Sequence, residues 1–275
     1  MNESTKINDI LKNSLFKGIG QFLFPTDFYS ITNNMTLKSS ENTVYLDDKN
    51  EKIYKMFLSK DLDLSKKKEE NLEVFNGIKK DINIVIPEHK IMSNGTLIGT
   101  IERYIKGEDL RDINHRFSNI YDKILFCLDM SKTLEEIHKE NIVVSDINPG
   151  NIRIGEDKKA YYIDILNAGI NGRSPLATSK ILLNYIRNVK LDTKNVTKEL
   201  DRITMMMLIF ETLFNKEFYY ITYYEYMSRA EKIKTLMDLV SYYELIRTNQ
   251  KNIDMPYLHE IISDCDVKKY KKEMR

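Results

Sequence analysis

The sequence predicts an α+β fold in two lobes, a small β-rich N-lobe with one main helix and a larger, mostly helical C-lobe. Three observations predict it. Between residues 28 and 105, short runs rich in Val, Ile, Tyr and Thr are separated by Asp, Asn and Gly turn residues, the pattern of hairpins. Beyond "YIKGEDL" (residues 104 to 110) the apolar residues recur at helical spacing instead. The chain has 275 residues, enough to bury a substantial core in one large domain or two lobes. The division expected is an N-terminal helical extension over 1–27, an N-lobe over 28–105 and a C-lobe over 106–275.

Each element has its own signal. Ile7, Ile10, Leu11, Leu15 and Phe16 share one helical face, and Pro25 ends that helix. "NTVYL" and "KIYKMF" flank the turn residues "DDKN", so residues 42 to 57 read as a hairpin. "LSKKKEENLEVFNGIKK" places Leu72, Phe75 and Ile78 on one stripe, a helix with Ser65 as its expected N-cap. "INIVIPEHKIM" and "LIGTIERYI", parted by "SNG", read as two more strands. Ile120, Ile124, Leu125, Leu128, Leu134 and Ile137 define a long buried helix over residues 118 to 139. "VVSDINPGNIRIGEDKKAYYIDIL" (143 to 166) then reads as a loop followed by a hairpin, an irregular stretch of about 30 residues carries Gly169, Gly172 and Pro175, and helices resume at "ELDRITMMMLIFETLF".

Composition narrows the functional classes. With 42 basic and 41 acidic residues the net charge is +1, so no chain-wide field points to nucleic acid or to an acidic membrane surface. Cys127 and Cys265 are the only cysteines and lack metal-ligand spacing, which argues against a disulfide framework or zinc and fits a reducing, cytoplasmic setting. No basic segment precedes an apolar core at the N-terminus, and no apolar run reaches the length of a membrane span, so neither a secretory signal nor a span is expected.

The chemistry lies in residues 143 to 166. Loop, hairpin and strand end bring Asp146, Asn151 and Asp164 to one side of a ribbon. Two carboxylates and a carboxamide form a set of hard oxygen ligands suited to Mg²⁺, which prefers one or two carboxylates plus phosphate oxygens. Metal-bound phosphate is therefore the expected ligand.

An Asp and an Asn five positions apart, followed by an Asp 18 residues after the first, resemble the catalytic loop and metal site of the protein-kinase-like superfamily, specifically a divergent bacterial Ser/Thr protein-kinase-like domain. The resemblance covers about residues 30 to 275 and implies a bilobal protein-kinase-like fold. It implies Asp146 as the catalytic Asp, Asn151 and Asp164 as metal ligands, and Lys55 in "KIYKMF" as the Lys that pairs the α- and β-phosphates. Glu70 is the implied helix carboxylate opposite Lys55, with Asn71 and Glu73 as the neighbouring registers. Main-chain groups near Arg103 and Ile105 would bond adenine, and Asp201 would brace the catalytic loop. ATP with Mg²⁺ or Mn²⁺ is the implied cofactor pair, and an unidentified protein the partner.

The chain departs from the pattern in places. Where the family has a glycine-rich loop stands "LKSSENTVY", whose Ser39, Ser40 and Asn42 are the candidate phosphate donors. Val144 and Ser145 replace His and Arg ahead of the catalytic Asp, Asn148 replaces a Lys, and Ile165 and Leu166 replace Phe and Gly after the metal Asp. Three functional readings follow: transfer of the γ-phosphate of Mg·ATP to Ser or Thr of a protein; a small-molecule kinase resembling the aminoglycoside and choline phosphotransferases, suggested by "NPGN"; and a pseudokinase acting as a binding or scaffold module.

Overall fold

The computed structural model describes residues 36–38, 42–58, 61–78, 81–192, 196–214 and 236–273. They form an α+β structure in two compact units, one holding the described residues up to Gly77 together with Val85–Lys106, the other Ile78–Ile84 and the described residues from Gly107 onward. The helix expected over residues 1 to 27 lies outside the described residues.

The first unit is built on an antiparallel sheet of β1 (Thr36–Lys38), β2 (Asn42–Asp47), β3 (Lys52–Phe57), β4 (His89–Ser93) and β5 (Thr96–Arg103), in the order β1-β2-β3-β5-β4. Its turns follow from local chemistry. Asp47 accepts from the Asn50 N–H (3.1 Å) and from Asn50 Nδ2 (2.7 Å), closing the β2–β3 hairpin. Asn94 and Gly95 both take positive φ, 48° and 75°, as a two-residue turn between right-twisted strands requires.

Helix α1 (Leu62–Phe75) packs on β5 through a stripe of Lys68, Asn71, Leu72 and Phe75. Its N-cap is Asp61, not the expected Ser65: Asp61 Oδ1 accepts from the N–H groups of Asp63 (2.9 Å) and Leu64 (3.2 Å). Ser65 lies one turn inside, where its hydroxyl donates to the Leu97 carbonyl at 2.6 Å and ties helix to strand. A second expectation also changes. "INIVIP" is apolar because Ile82, Ile84 and Val85 are buried, but it adds no strand to the sheet; Ile84 makes a single bridge to Tyr162, and Ile78–Ile84 belong to the second unit.

The second unit surrounds α3 (Ile120–Lys139), which follows a short helix α2 (Ile113–Arg116). Asn119 caps α3 through the Asp122 N–H (2.9 Å). The sequence marked one apolar face, yet Phe126, Cys127 and Met130 are buried as fully as Ile124 and Leu134, because further elements pack around the helix. These are α5 (Lys198–Phe214), α7 (Leu258–Ile261), α8 (Asp264–Glu273) and strand β9 (Ala160–Tyr162). Helices α4 (Lys180–Val189) and α6 (Met237–Arg247) pack on α5.

Two small sheets frame the loop before Asp146. β6 (Gly107–Asp109), β8 (Ile152–Gly155) and β9 form one, and β7 (Ile142–Val143) pairs with β10 (Gly169–Ile170) in the other. Gly107 is obligatory: its φ is +140°, and a Cβ would sit 2.0 Å from the Ile154 carbonyl oxygen. Among the described residues no helix is long and apolar enough to cross a membrane.

Candidate functional site

The loop from Val144 to Asn151 is held from beneath by one buried carboxylate. Asp201, in the first turn of α5 and wholly buried, accepts from the N–H of Val144 at 2.6 Å and from the N–H of Ser145 at 2.7 Å, one bond to each oxygen. Charge-assisted bonds to backbone amides are among the stronger kind, and here they fix a segment in which Ser145 takes a left-handed φ of 64°. Asp201 is itself fixed, because His138 Nε2 lies 3.1 Å from Oδ2 while His138 Nδ1 lies 2.7 Å from the Tyr257 hydroxyl.

On the side of the loop bearing Asp146, two carboxamides grip its carboxylate. Asn148 Nδ2 donates to Asp146 Oδ1 at 3.1 Å and Asn151 Nδ2 to Oδ2 at 3.0 Å; both amides also reach the Asp146 carbonyl, at 3.2 and 3.0 Å. Asn148 in turn accepts from the Gly150 N–H (2.9 Å), which shapes the tight turn "PGN". The hairpin then brings the second Asp alongside: the Ile163 N–H donates to the Asn151 carbonyl at 3.0 Å, and the next residue is Asp164. Asp164 has φ 58° and ψ 35°, a left-handed conformation that Asp tolerates better than most residues. Asp146, Asn151 and Asp164 thus form one linked set, all half-buried.

The chain beyond Asp164 folds back on the same loop. Gly169 and Ile170 pair with Val143 and Ile142, and the Ser145 hydroxyl donates to the Ala177 carbonyl and lies 3.1 Å from Thr178 Oγ1. The Ser179 N–H donates to the Ser145 carbonyl (3.1 Å), and the Ser179 hydroxyl then caps α4 through the Leu182 N–H (3.2 Å). At the position where the resemblance puts an Arg, this chain therefore has a neutral hydroxyl already bonded to residues 177 and 178.

The first unit carries the other expected residues. Lys55, on β3, is buried and its ammonium lies 2.8 Å from Glu102 Oε2 on β5. The expected carboxylate was Glu70. The phase of α1 explains the difference: Lys68, Asn71, Leu72 and Phe75 face the sheet, and Glu70 falls on the exposed side. Asn42 is buried in β2 opposite Phe57, and Ser39 and Ser40 lie outside the described residues. Arg103 ends β5 opposite Lys52, the following Tyr104 N–H donates to the Glu51 carbonyl (2.8 Å), and Ile105 is buried.

Burial and neighbouring charges shift several groups of the second unit. The Asp109 carboxyl lies below its ordinary range; burial pushes it up, but the hydrogen bonds and charge of Arg111, aided by the charge of Arg153, outweigh that. Asp129 is shifted up by burial, only partly offset by the Ala160 N–H bonded to it at 2.7 Å. Burial also pushes the Cys127 thiol far up, which leaves it a packing residue.

No cluster of three or more His, Cys, Asp or Glu side chains arranged for a metal occurs among the described residues. The linked set of two carboxylates and a carboxamide fits a hard cation that draws its remaining ligands from phosphate and water. Asn151 and Asp164 would hold Mg²⁺, and the ion would supply charge neutralisation for a phosphoryl group. The Asp146 carboxylate is held with both oxygens accepting, and a carboxylate so placed could orient a hydroxyl and receive its proton.

Sequence reasoning missed Glu102, His138 and Tyr257. The first is a Glu in a strand, indistinguishable by pattern from a solvated one. His138 meets Asp201, and Tyr257 meets His138, only through the fold. No protein-family model matches the chain, and no curated protein matches it.

Proposed function

We propose that this protein is an ATP-dependent phosphotransferase of protein-kinase-like, bilobal design that moves the γ-phosphate of Mg·ATP to Ser or Thr of a protein. The observation that carries the reading is the linked set in the second unit: the Asp146 carboxylate gripped by Asn148 and Asn151, with Asn151 bonded across the hairpin to the residue before Asp164. Phosphoryl transfer needs little covalent help from a protein. It needs an oriented acceptor hydroxyl and positive charge around a spread negative charge; Asp146 is the acceptor for the first, and a cation held by Asn151 and Asp164, together with Lys55, would supply the second.

The assigned roles are specific. Asp146 orients the acceptor hydroxyl and receives its proton; Asn151 and Asp164 hold the metal; Lys55 pairs the α- and β-phosphates; backbone groups near Arg103 and Ile105 meet adenine. Asp201 supports the reading as a brace of the loop. The segment tied to Ser145 supports a site whose order does not depend on an Arg pairing with a phosphorylated residue.

The "NPGN" turn, in which Asn148 and Asn151 both bond Asp146, favours a second reading, transfer to a small alcohol or amino sugar. The test is incubation of the protein with γ-labelled ATP and Mg²⁺ against a panel of Ser/Thr-rich proteins and of small alcohols and amino sugars. Label on protein hydroxyls is the expected result, label on a small molecule moves the assignment to the second reading, and label on neither overturns both.

A further inference from the structure

Lys55 is buried, so its ammonium needs a fixed counter-charge, and whichever group supplies it decides where the ammonium points. A carboxylate on the sheet meets it: Glu102 Oε2 lies 2.8 Å from Lys55 Nζ, both side chains under a tenth exposed. The pairing follows from strand register. Lys55 stands opposite Thr100 in the antiparallel β3–β5 ladder, and Glu102, two residues on from Thr100, has its side chain on the same face and reaches Lys55 diagonally. Thr100, wholly buried, donates its hydroxyl to the other oxygen, Glu102 Oε1, at 3.2 Å. One carboxylate oxygen is thus occupied by Thr100 and the other aimed at Lys55.

We infer that Glu102 is the positioning residue for Lys55, taking on the β-sheet the role that sequence resemblance assigned to Glu70 on the helix. A strand-borne partner has a mechanical consequence. Lys55 and Glu102 sit on adjacent strands of one ladder, so their pairing does not depend on where α1 lies, and Lys55 stays aimed without any movement of that helix. The inference rests on the proposed function for its catalytic meaning, but the pairing can be tested without ATP.

The experiment compares wild type, Glu102→Gln, Glu102→Asp and Glu70→Gln, each with its fold checked by circular dichroism, in two assays. The first follows acylation of Lys55 by an amine-reactive ester at pH 8, read by peptide mapping. Loss of the Glu102 carboxylate removes a close counter-charge from a buried ammonium, which favours the neutral, nucleophilic amine. Labelling of Lys55 is expected to rise about 10-fold in Glu102→Gln and to return towards wild type in Glu102→Asp. Equal labelling in wild type and Glu102→Gln, or a larger rise in Glu70→Gln, overturns the inference.

The second assay measures ATP turnover. Glu102→Gln is expected to lower kcat/KM about 100-fold through both KM for ATP and kcat, more than Glu70→Gln does, with partial recovery in Glu102→Asp. A wild type that neither binds nor turns over Mg·ATP while Lys55 labelling still follows Glu102 would sink the phosphotransferase reading and leave the pairing standing. Turnover indifferent to Glu102 would sink its positioning role alone.

Discussion

At the level of single residues, Asp201 is the group on which the candidate loop rests most heavily, since its two oxygens serve two consecutive amides and a His ring nitrogen. Asp201→Ala would strand three buried polar groups at once. The expected cost is about 3–5 kcal/mol in urea unfolding, the range for removing one partner of a buried charged network. Asp201→Asn, which keeps one acceptor, should cost less; equal stability of wild type and Asp201→Ala would contradict the brace. Asp129 yields a pH prediction. Burial raises its carboxyl, so the folded protein holds that proton more tightly than the unfolded chain does. Its contribution is then fullest below about pH 4, where an unfolded Asp is protonated, and is lost as pH rises through the raised native value. Asp129→Asn can keep the acceptor for the Ala160 N–H and removes that loss. Urea titrations from pH 4 to 7 should show wild type falling relative to the variant, and parallel curves would refute the assignment. Asp146, Asn151 and Asp164 were legible in sequence because a loop and one hairpin join them, so spacing alone carried the signal. Glu102 and His138 were not, because their partners come from distant parts of the chain.

At the level of elements, turns and caps were readable where chemistry is local. The "DDKN" and "SNG" hairpins stand where the turn residues put them. Helix α1 shows how such reading errs by one turn: Ser65 was the expected cap, and Asp61, one turn earlier, is the residue that caps the helix. The structure separates their roles, so Asp61→Ala should cost about 1 kcal/mol as a lost cap. Ser65→Ala should cost about 1 kcal/mol as a lost helix-to-strand hydrogen bond. Asp61 bonds the Asp63 and Leu64 amides while Ser65 bonds the Leu97 carbonyl, so the double variant should cost more than either single one, and a double variant no worse than either would show that they act as one cap. Helix α4 was hidden inside a stretch read as irregular, although Leu182, Tyr185, Ile186 and Val189 carry helical spacing behind the Ser179 cap. Gly169, Gly172 and Pro175 just upstream outweighed that pattern. "INIVIP" was misread for the opposite reason: burial makes a run apolar whether or not it joins a sheet.

At the level of the whole molecule, two compact units divide the proposed chemistry. The first offers a cation fixed in a sheet, Lys55 with Glu102; the second offers the linked set of Asp146, Asn151 and Asp164 above a buried brace. Composition argued against a chain-wide nucleic-acid field, a disulfide framework and a zinc site without pointing to an activity, and the proposed function rests on the spacing of the site residues. The measurement that tests the account most directly is phosphate transfer from γ-labelled ATP in Mg²⁺ or Mn²⁺ by wild type, Asp146→Ala and Asp164→Ala, with Mg·ATP binding titrated in parallel. The account predicts transfer by wild type and at least about a 1000-fold loss in both variants. It also predicts that Asp146→Ala still binds Mg·ATP while Asp164→Ala binds it more weakly. Transfer that survives in Asp146→Ala, or a wild type that binds Mg·ATP and transfers nothing to any acceptor, would contradict it.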